Sequence, residues 1–161
     1  MRVLFTIAVT SMVMAGAVWA RLGETVEESR ARYHVPMTAT EPLPPADAAW
    51  GFGINGVVLL AGFTGDRCSY VCFQKRSDDL GMVGEFSEAE LATLLATETT
   101  NSSWQRKQVD RPGARFWQRE DLKAMALYDG IEHMLFIGDA EWFTQAMNLS
   151  QERKRKAMDG F

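Results

Sequence analysis

The chain has 161 residues, of which 47% are hydrophobic and 24% are charged, and its formal net charge is −4. This composition is typical of a single globular domain and excludes a largely disordered protein, because enough apolar residues are present to form a core. The weak negative charge gives no overall attraction to nucleic acid, so we expect no nucleic-acid partner.

Residues 1–20 have the pattern of a cleavable secretory signal peptide. Met1-Arg2 provides a short positive start, residues 3–18 are nearly all apolar, and small residues end the stretch. We expect cleavage after Ala20, because a polar helical pattern begins just beyond it. An uncleaved membrane anchor is the alternative, although the apolar run is slightly short for a span of about 20 residues.

Residues 21–161 are predicted to form one exported α+β domain, periplasmic or secreted. This part carries 16 basic and 21 acidic residues, a net charge of −5, and no apolar stretch in it is long enough to cross a membrane. Its length is sufficient for one hydrophobic core without support from a metal or a disulfide.

The first predicted element is a helix with Thr25 as its N-cap. Thr25 and Glu28 form a capping box, and the helix must end before Pro36. Residues 36–49 are rich in Pro and Ala, which predicts an extended connector. Two strands of a hairpin follow, over residues 51–63 and 67–75.

Both cysteines, Cys68 and Cys72, lie in the second predicted strand. Residues four apart in a strand are separated by about 13 Å, whereas a disulfide needs Cα atoms within about 7 Å. We therefore expect two partly buried thiols on one face of the strand and no bond between them.

The second half begins with a helix that has the clearest start signal in the chain. Ser87 and Glu90 form its capping box, and Phe86 and Leu91 are placed as a hydrophobic staple. Asp139 is the predicted N-cap of a final helix. Between the two helices lie four predicted strands, over residues 104–109, 114–119, 122–128 and 131–137, the last two joined by a type I′ turn at Asp129-Gly130.

The element order α-ββ-α-ββββ-α predicts an α+β fold. We expect an antiparallel sheet of about five to six strands, with two to three helices packed on one face. The two capping-box helices, each followed by a connector and strands, also hint at an internal duplication.

Several short motifs resemble a family of small exported bacterial proteins of unknown function. They are Leu22-Gly23-Glu24-Thr25, Arg32-Tyr33, Gly65-Asp66-Arg67-Cys68, Ser87-Glu88-Ala89-Glu90-Leu91, Ser103-Trp104 and Gly160-Phe161. The family usually has Gly after the Arg-Tyr pair, where this chain has His34. The resemblance implies an exported α+β domain, and because the family has no established activity it transfers no catalytic residues. The capped helix before a hairpin is also distantly similar to β-lactamase-inhibitor-like domains and small outer-membrane-assembly lipoproteins, which are binding modules.

No strong catalytic motif is present, and we expect no cofactor and no metal site. A small cysteine-dependent enzyme is an alternative, in which His133 would act as the base for Cys68 or Cys72. The leading hypothesis is a non-catalytic binding or structural protein of the bacterial envelope.

Three surfaces are candidates for contact with a partner. Trp104 and Trp117 would form a partner surface if they shared an open face of the sheet. The turn at Asp129-Gly130 would suit an inhibitor of a secreted hydrolase. A basic cluster near the C-terminus is a further candidate for contact with an anionic surface; its residues are Arg153, Lys154, Arg155 and Lys156.

Overall fold

The computed structural model of the protein describes residues 21–34, 36–77, 82–99 and 101–159. The predicted signal peptide and the closing Gly160-Phe161 lie outside these ranges. In chain order the elements are α1 (Val26–Tyr33), β1 (Thr38–Thr40), β2 (Ala48–Ile54), β3 (Val57–Thr64), β4 (Arg67–Ser77), β5 (Met82–Gly84), α2 (Glu88–Thr97), β6 (Trp104–Lys107), β7 (Arg115–Arg119), β8 (Ala124–Asp129), β9 (Met134–Asp139) and α3 (Ala140–Asp159).

All the strands belong to one antiparallel sheet, as the α+β prediction requires. The order across the sheet is β1-β2-β3-β4-β9-β8-β7-β6, and the short β5 pairs with the end of β4. The nine described strands exceed the five to six that we predicted. Two were missed because they are only three residues long, and β1 lies inside the predicted connector at 36–49.

The sheet consists of two halves with the same order of elements. A capped helix precedes four strands in each half: α1 precedes β1–β4, and α2 precedes β6–β9. The last strands of the two halves, β4 and β9, pair antiparallel in the middle. This arrangement matches an approximate two-fold axis through the sheet and agrees with the duplication that the two capping boxes suggested.

Helices cover both faces of the sheet, where we had predicted one. We call the two sides the α1/α2 face and the α3 face. On the α1/α2 face, apolar side chains from α2 and from the middle strands form the larger core, with Val26 of α1 packed against it. On the α3 face, Trp142 and Phe143 pack on Tyr70 and Cys72. Both cores are drawn from residues 22–146.

A β-bulge in β4 changes which side chains share a face. Gly62 pairs with Tyr70 and Phe63 pairs with Cys68, so Ser69 has no partner residue in β3. The extra residue shifts the alternation of side chains. Cys68 therefore lies on the α1/α2 face and Cys72 on the α3 face. The prediction that both thiols share one face was wrong, and both are free and buried.

Two hairpin turns also differ from the predictions. The predicted strand at 51–63 is interrupted by Asn55-Gly56, which both have positive φ and join β2 to β3 by a two-residue turn. Conversely, the hairpin at Asp129-Gly130 has a longer loop, because Asp129 pairs with Met134. The Asp129 carboxylate accepts the N–H groups of Ile131 and Glu132 and thereby holds the loop.

Helix α1 ends at a residue in the left-handed conformation. His34 has φ 49° and ψ 22°, and its N–H donates to the carbonyl of Arg30. Glycine is the residue that adopts this conformation without a steric penalty.

We therefore expect His34→Gly to raise the free energy of unfolding by about 0.5–1 kcal/mol. The measurement is urea denaturation of both proteins, with His34→Ala as the control that keeps a Cβ at this position. Equal stability of the Gly and Ala variants would contradict the explanation.

Gly62 is required by close packing. A Cβ at this position would lie 1.8 Å from Cε1 of Tyr70. The Tyr70 ring is held on two sides, because it stacks on Trp142 at 4.4 Å between centroids and its hydroxyl accepts the N–H of Leu43 at 3.0 Å.

Gly62→Ala should therefore lower the free energy of unfolding by about 2 kcal/mol or more, since the ring has no free space into which to move. The matched control is Gly51→Ala on the neighbouring strand, where a Cβ meets nothing closer than 3.9 Å. Thermal denaturation of the two variants checks this, and a similar loss for both would contradict the explanation, because a Cβ at Gly51 has room.

Candidate functional site

The α3 face is covered over only part of the sheet. Helix α3 begins directly after β9, and its first turns pack on β4, β8 and β9. No helix among the described residues packs on the α3 face of β1, β2 and β3. A groove with a volume of about 670 Å³ lies there, and we call it the glycine groove.

The floor of the groove is formed by Gly51 and Gly53 on β2. Both lie on the α3 face, since they pair with Leu60 and Val58 of β3. Neither has a positive φ, and a Cβ at either position would meet only ordinary contacts at 3.9–4.0 Å. The local fold therefore does not require glycine at these two positions.

Half-buried apolar side chains flank this floor, and a cation lies at one end. Val58, Leu60 and Met134 line the groove and are each partly exposed. Arg76 lies on β4 at the end near the Asn55-Gly56 turn, where its own N–H donates to the Gly56 carbonyl at 2.8 Å. The Arg76 guanidinium is exposed and forms no ion pair with any described residue.

Trp104 and Trp117 share the α1/α2 face, but helix α2 covers that face. Trp117 is 7% exposed. Trp104 is partly buried, and its indole N–H donates to the Leu95 carbonyl of α2 at 2.8 Å. Glu88 of α2 also pairs with arginines on both sides of Trp117, Arg106 and Arg115. These contacts give the two tryptophans a role in packing, and a partner surface at Trp104 and Trp117 stays a prediction.

The two cysteines and His133 are not brought together. Cys72 lies on the α3 face, whereas His133 lies 3.4 Å from the hydroxyl of Tyr128 on the opposite face. Cys68 lies two residues before Tyr70 in β4, and Tyr70 pairs with Gly138 near the C-terminal end of β9. His133 lies just before the N-terminal end of β9, so it is distant from Cys68. Burial also raises the pKa of Cys68 well above its usual value and that of Cys72 to about 12. The separation of the thiols from His133 and their raised pKa values both disfavour a reactive thiolate.

The loop that carries Gly130 is rigidly held and presents one apolar side chain to solvent. Gly130 packs against Gly113, and Arg111 pairs with Asp129 at 2.6 Å. At the tip, Ile131 is 69% exposed.

The basic cluster lies in the last turns of α3. Beyond Ala146 the described side chains of this helix are exposed, apart from a partly buried Leu149. Arg153, Arg155 and Lys156 are exposed there, and contact with an anionic surface stays a prediction. Among the described residues, no helix has both the length and the apolar character needed to cross a membrane.

A polar cleft lies where the two halves meet, next to the start of the described chain. It is lined by Arg21, Leu22, Arg67, Glu98 and Arg119 and has a volume of about 330 Å³. Glu98 is 3% exposed, and one of its carboxylate oxygens has no hydrogen-bond partner among the described residues. Desolvation raises its pKa to about 7.

The described residues contain no group of three or more His, Cys, Asp or Glu side chains that could hold a metal ion. No protein-family model, curated protein or solved structure matches this chain. The resemblance to exported bacterial proteins therefore stays a prediction.

The sequence contained signals for the groove that our interpretation missed. Asn-Gly between apolar runs is a strong hairpin signal, and Asn55-Gly56 would have divided the strand at 51–63. Isolated glycines inside a strand indicate a bulge or a close approach by another backbone or a ligand. Gly51 and Gly53 have this pattern.

Buried thiols with raised pKa values should react only when the protein opens. In the native protein we expect Cys68 and Cys72, which are 2% and 6% exposed, to resist an aromatic disulfide reagent at about pH 8. In urea both should react at once. Fast reaction of one thiol in the native state would contradict this and would support the cysteine-enzyme alternative.

Proposed function

We propose that this chain is an exported, non-catalytic binding protein of the bacterial envelope, and that it binds its partner in the glycine groove. The observation that carries the proposal is the pair Gly51 and Gly53 in the middle of β2. Glycine inside a strand destabilises a protein by about 0.5–1 kcal/mol relative to alanine. Where a glycine inside a strand lies at no bulge and has no positive φ, the remaining explanation is that a ligand or another backbone approaches the strand closely.

The other half of the sheet supports this interpretation. By the order of elements, β7 in the second half corresponds to β2 in the first. On the α3 face β7 carries Phe116, which lies edge-on to Phe143 of α3 at 6.5 Å. Where the helix covers the sheet, the strand has a large side chain, and where no described helix covers it, the strand has glycines.

The chemistry of the groove indicates an extended, apolar polypeptide segment with an acidic group at one end. An extended backbone fits the flat floor at Gly51 and Gly53. Apolar side chains of that segment would cover the partly exposed Val58 and Leu60. A carboxylate would pair with Arg76 at the end of the groove. We propose that the occupant is such a segment of another envelope protein.

Site-specific photocrosslinking in the producing cell tests this proposal. Thr38 is an exposed residue of the edge strand β1 that lines the groove, and Gln105 is an exposed residue of the opposite edge strand β6, outside the groove. A photoreactive amino acid at Thr38 should give one discrete adduct with another protein, and at Gln105 it should not. Gly51→Val, which fills the groove, and Arg76→Glu, which reverses its charge, should each reduce the Thr38 adduct at least tenfold.

The crosslinked peptide identifies the occupant. An apolar segment with a nearby Asp, Glu or C-terminal carboxylate would support the proposal. Equal adducts from Thr38 and Gln105, adducts that persist in Gly51→Val, or an adduct with residues 1–20 of the same chain would each contradict it.

A second candidate function is inhibition of a secreted hydrolase, and the loop at Gly130 favours it. This loop is held by Asp129 and Arg111 and exposes Ile131 at its tip, and rigid loops with one exposed anchor residue bind with little loss of conformational entropy. The same crosslinking experiment distinguishes the two functions. A discrete adduct from Ile131 and none from Thr38 would favour the inhibitor.

A further inference from the structure

Glu98 lies at the end of α2 in the polar cleft, and the start of the described chain folds over it. One carboxylate oxygen, Oε2, accepts the N–H of Leu22 at 3.1 Å. The other, Oε1, is buried and has no hydrogen-bond partner among the described residues. A buried carboxylate that is only half satisfied is unfavourable, because it has lost its water and gained too few donors.

A second carboxylate faces the residue before Leu22. The N–H of Arg21 donates to Oε2 of Glu24 at 3.4 Å, which is a long hydrogen bond. Glu24 is itself paired with Arg32 of α1. The backbone nitrogen of Arg21 therefore lies beside the carboxylate of Glu24, and the next backbone nitrogen, that of Leu22, is bonded to the carboxylate of Glu98. Both carboxylates line the polar cleft.

We propose that removal of the leader after Ala20 creates a new α-ammonium group at Arg21 that docks between Glu24 and Glu98. The inference rests on the export that we proposed above. In the hydrolysis the bond between the Ala20 carbonyl carbon and the Arg21 nitrogen breaks, and water supplies a hydroxyl to the carbon and a proton to the nitrogen. The new carboxylic acid of Ala20 then gives up its proton, through solvent, to the amine, so that the products are a carboxylate and an ammonium group. An amide with one hydrogen is replaced by an ammonium group with three donors and a positive charge.

The charges around Glu98 show why this docking would stabilise the fold. The pKa of Glu98 is raised to about 7, mainly by desolvation and also by Glu24, against the opposing effects of the N–H of Leu22, of Arg21 and of Arg119. The other titratable groups of the cleft are Glu28, Arg67 and Cys68. Arg119 does not neutralise the carboxylate directly, because its guanidinium donates to the Glu98 backbone carbonyl and to Asp121. An ammonium group at Arg21 would supply the missing positive charge.

The pH dependence of this effect has a defined window. The ammonium group loses its proton above its usual pKa of about 8, and Glu98, whose pKa is raised to about 7 before the new charge is added, takes up a proton as the pH falls. The stabilisation should therefore be largest at about pH 7 to 8, fade towards about pH 10, and decline as the pH falls below about 7.

Three forms of the exported protein test the proposal. One begins at Arg21 with a free amine, one begins at Arg21 with the amine acetylated, and one begins at Ala20, which moves the charge by one residue. At pH 7 the free Arg21 form should have a Tm about 3 °C or more above the other two. Cooperative melting of each form verifies that it folds. The difference between the free and acetylated forms should disappear at pH 10.

Substitutions show whether the two carboxylates are responsible. In Glu98→Gln and in Glu24→Gln, acetylation should change the Tm by much less than in the parent protein. Glu24→Gln serves where Glu98→Gln fails to fold, because Glu24 is less buried. Glu27→Gln is the matched control, because Glu27 is an exposed acidic residue in the first turn of α1, outside the cleft; this variant should keep the full difference.

Equal Tm values for the free and acetylated forms between pH 6 and 8 would overturn the docking. N-terminal sequencing of the protein isolated from the producing cell is a separate measurement. Arg21 as the first residue supports the physiological role, and any other first residue overturns that role. The groove experiments depend on neither result, so a failure of the docking and a failure of the proposed function are distinguishable.

Discussion

The structure depends on the need to cover a sheet that has apolar side chains on both faces. Face-to-face packing on α1 and α2 buries one side, with Tyr128, Phe73 and Leu91 removed from solvent. The other side is covered by the first turns of α3 and by the segment around Leu43 and Ala46, which together bury Tyr70. A symmetric sheet and a single helix on its second face leave half of that face without a helix among the described residues, and the glycine groove lies there.

A few close contacts determine which part of the α3 face is covered by helix α3. Gly138 on β9 allows the helix to approach, since a Cβ there would lie 2.8 Å from the Trp142 ring. Tyr70 stacks on Trp142, and Gly62 accommodates Tyr70 in turn. Beyond these residues the helix continues away from the two aromatic contacts, with mostly exposed side chains. The covered and uncovered parts of the α3 face are therefore set by a few large rings and the glycines opposite them.

The helix starts could be predicted from sequence because capping is local. Thr25 with Glu28 and Ser87 with Glu90 form the expected capping boxes. Asp139 accepts the N–H of Trp142, as expected for the N-cap of α3. These contacts lie within three residues of each other, so residue type and spacing are sufficient to predict them.

The parts that were not predicted depend on pairing between distant residues. The bulge at Ser69 separates the faces of Cys68 and Cys72, and it exists because of how β4 pairs with β3. The longer loop after Asp129 follows from the pairing of Asp129 with Met134. The side of the sheet on which α3 packs follows from the alternation along β9, which also requires the register. Sequence periodicity predicted the helices and most of the strands, but the pairing between distant strands determines which side chains lie on the same face of the sheet.

The two halves of the sheet differ in how the α3 face is covered, and the glycine groove lies in the half that α3 does not cover. Helix α3 follows the second half directly, and there large side chains such as Phe116 and Phe136 have a partner. In the first half the same face has glycines on β2 and smaller aliphatic residues on β3. Large side chains at Gly51 and Gly53 would have been left without cover, and an exposed apolar patch favours aggregation. Glycine avoids that patch, yet alanine or a polar residue would do so with less loss of strand stability. Solubility alone therefore does not require glycine at these positions, whereas the proposed close approach of a partner backbone does.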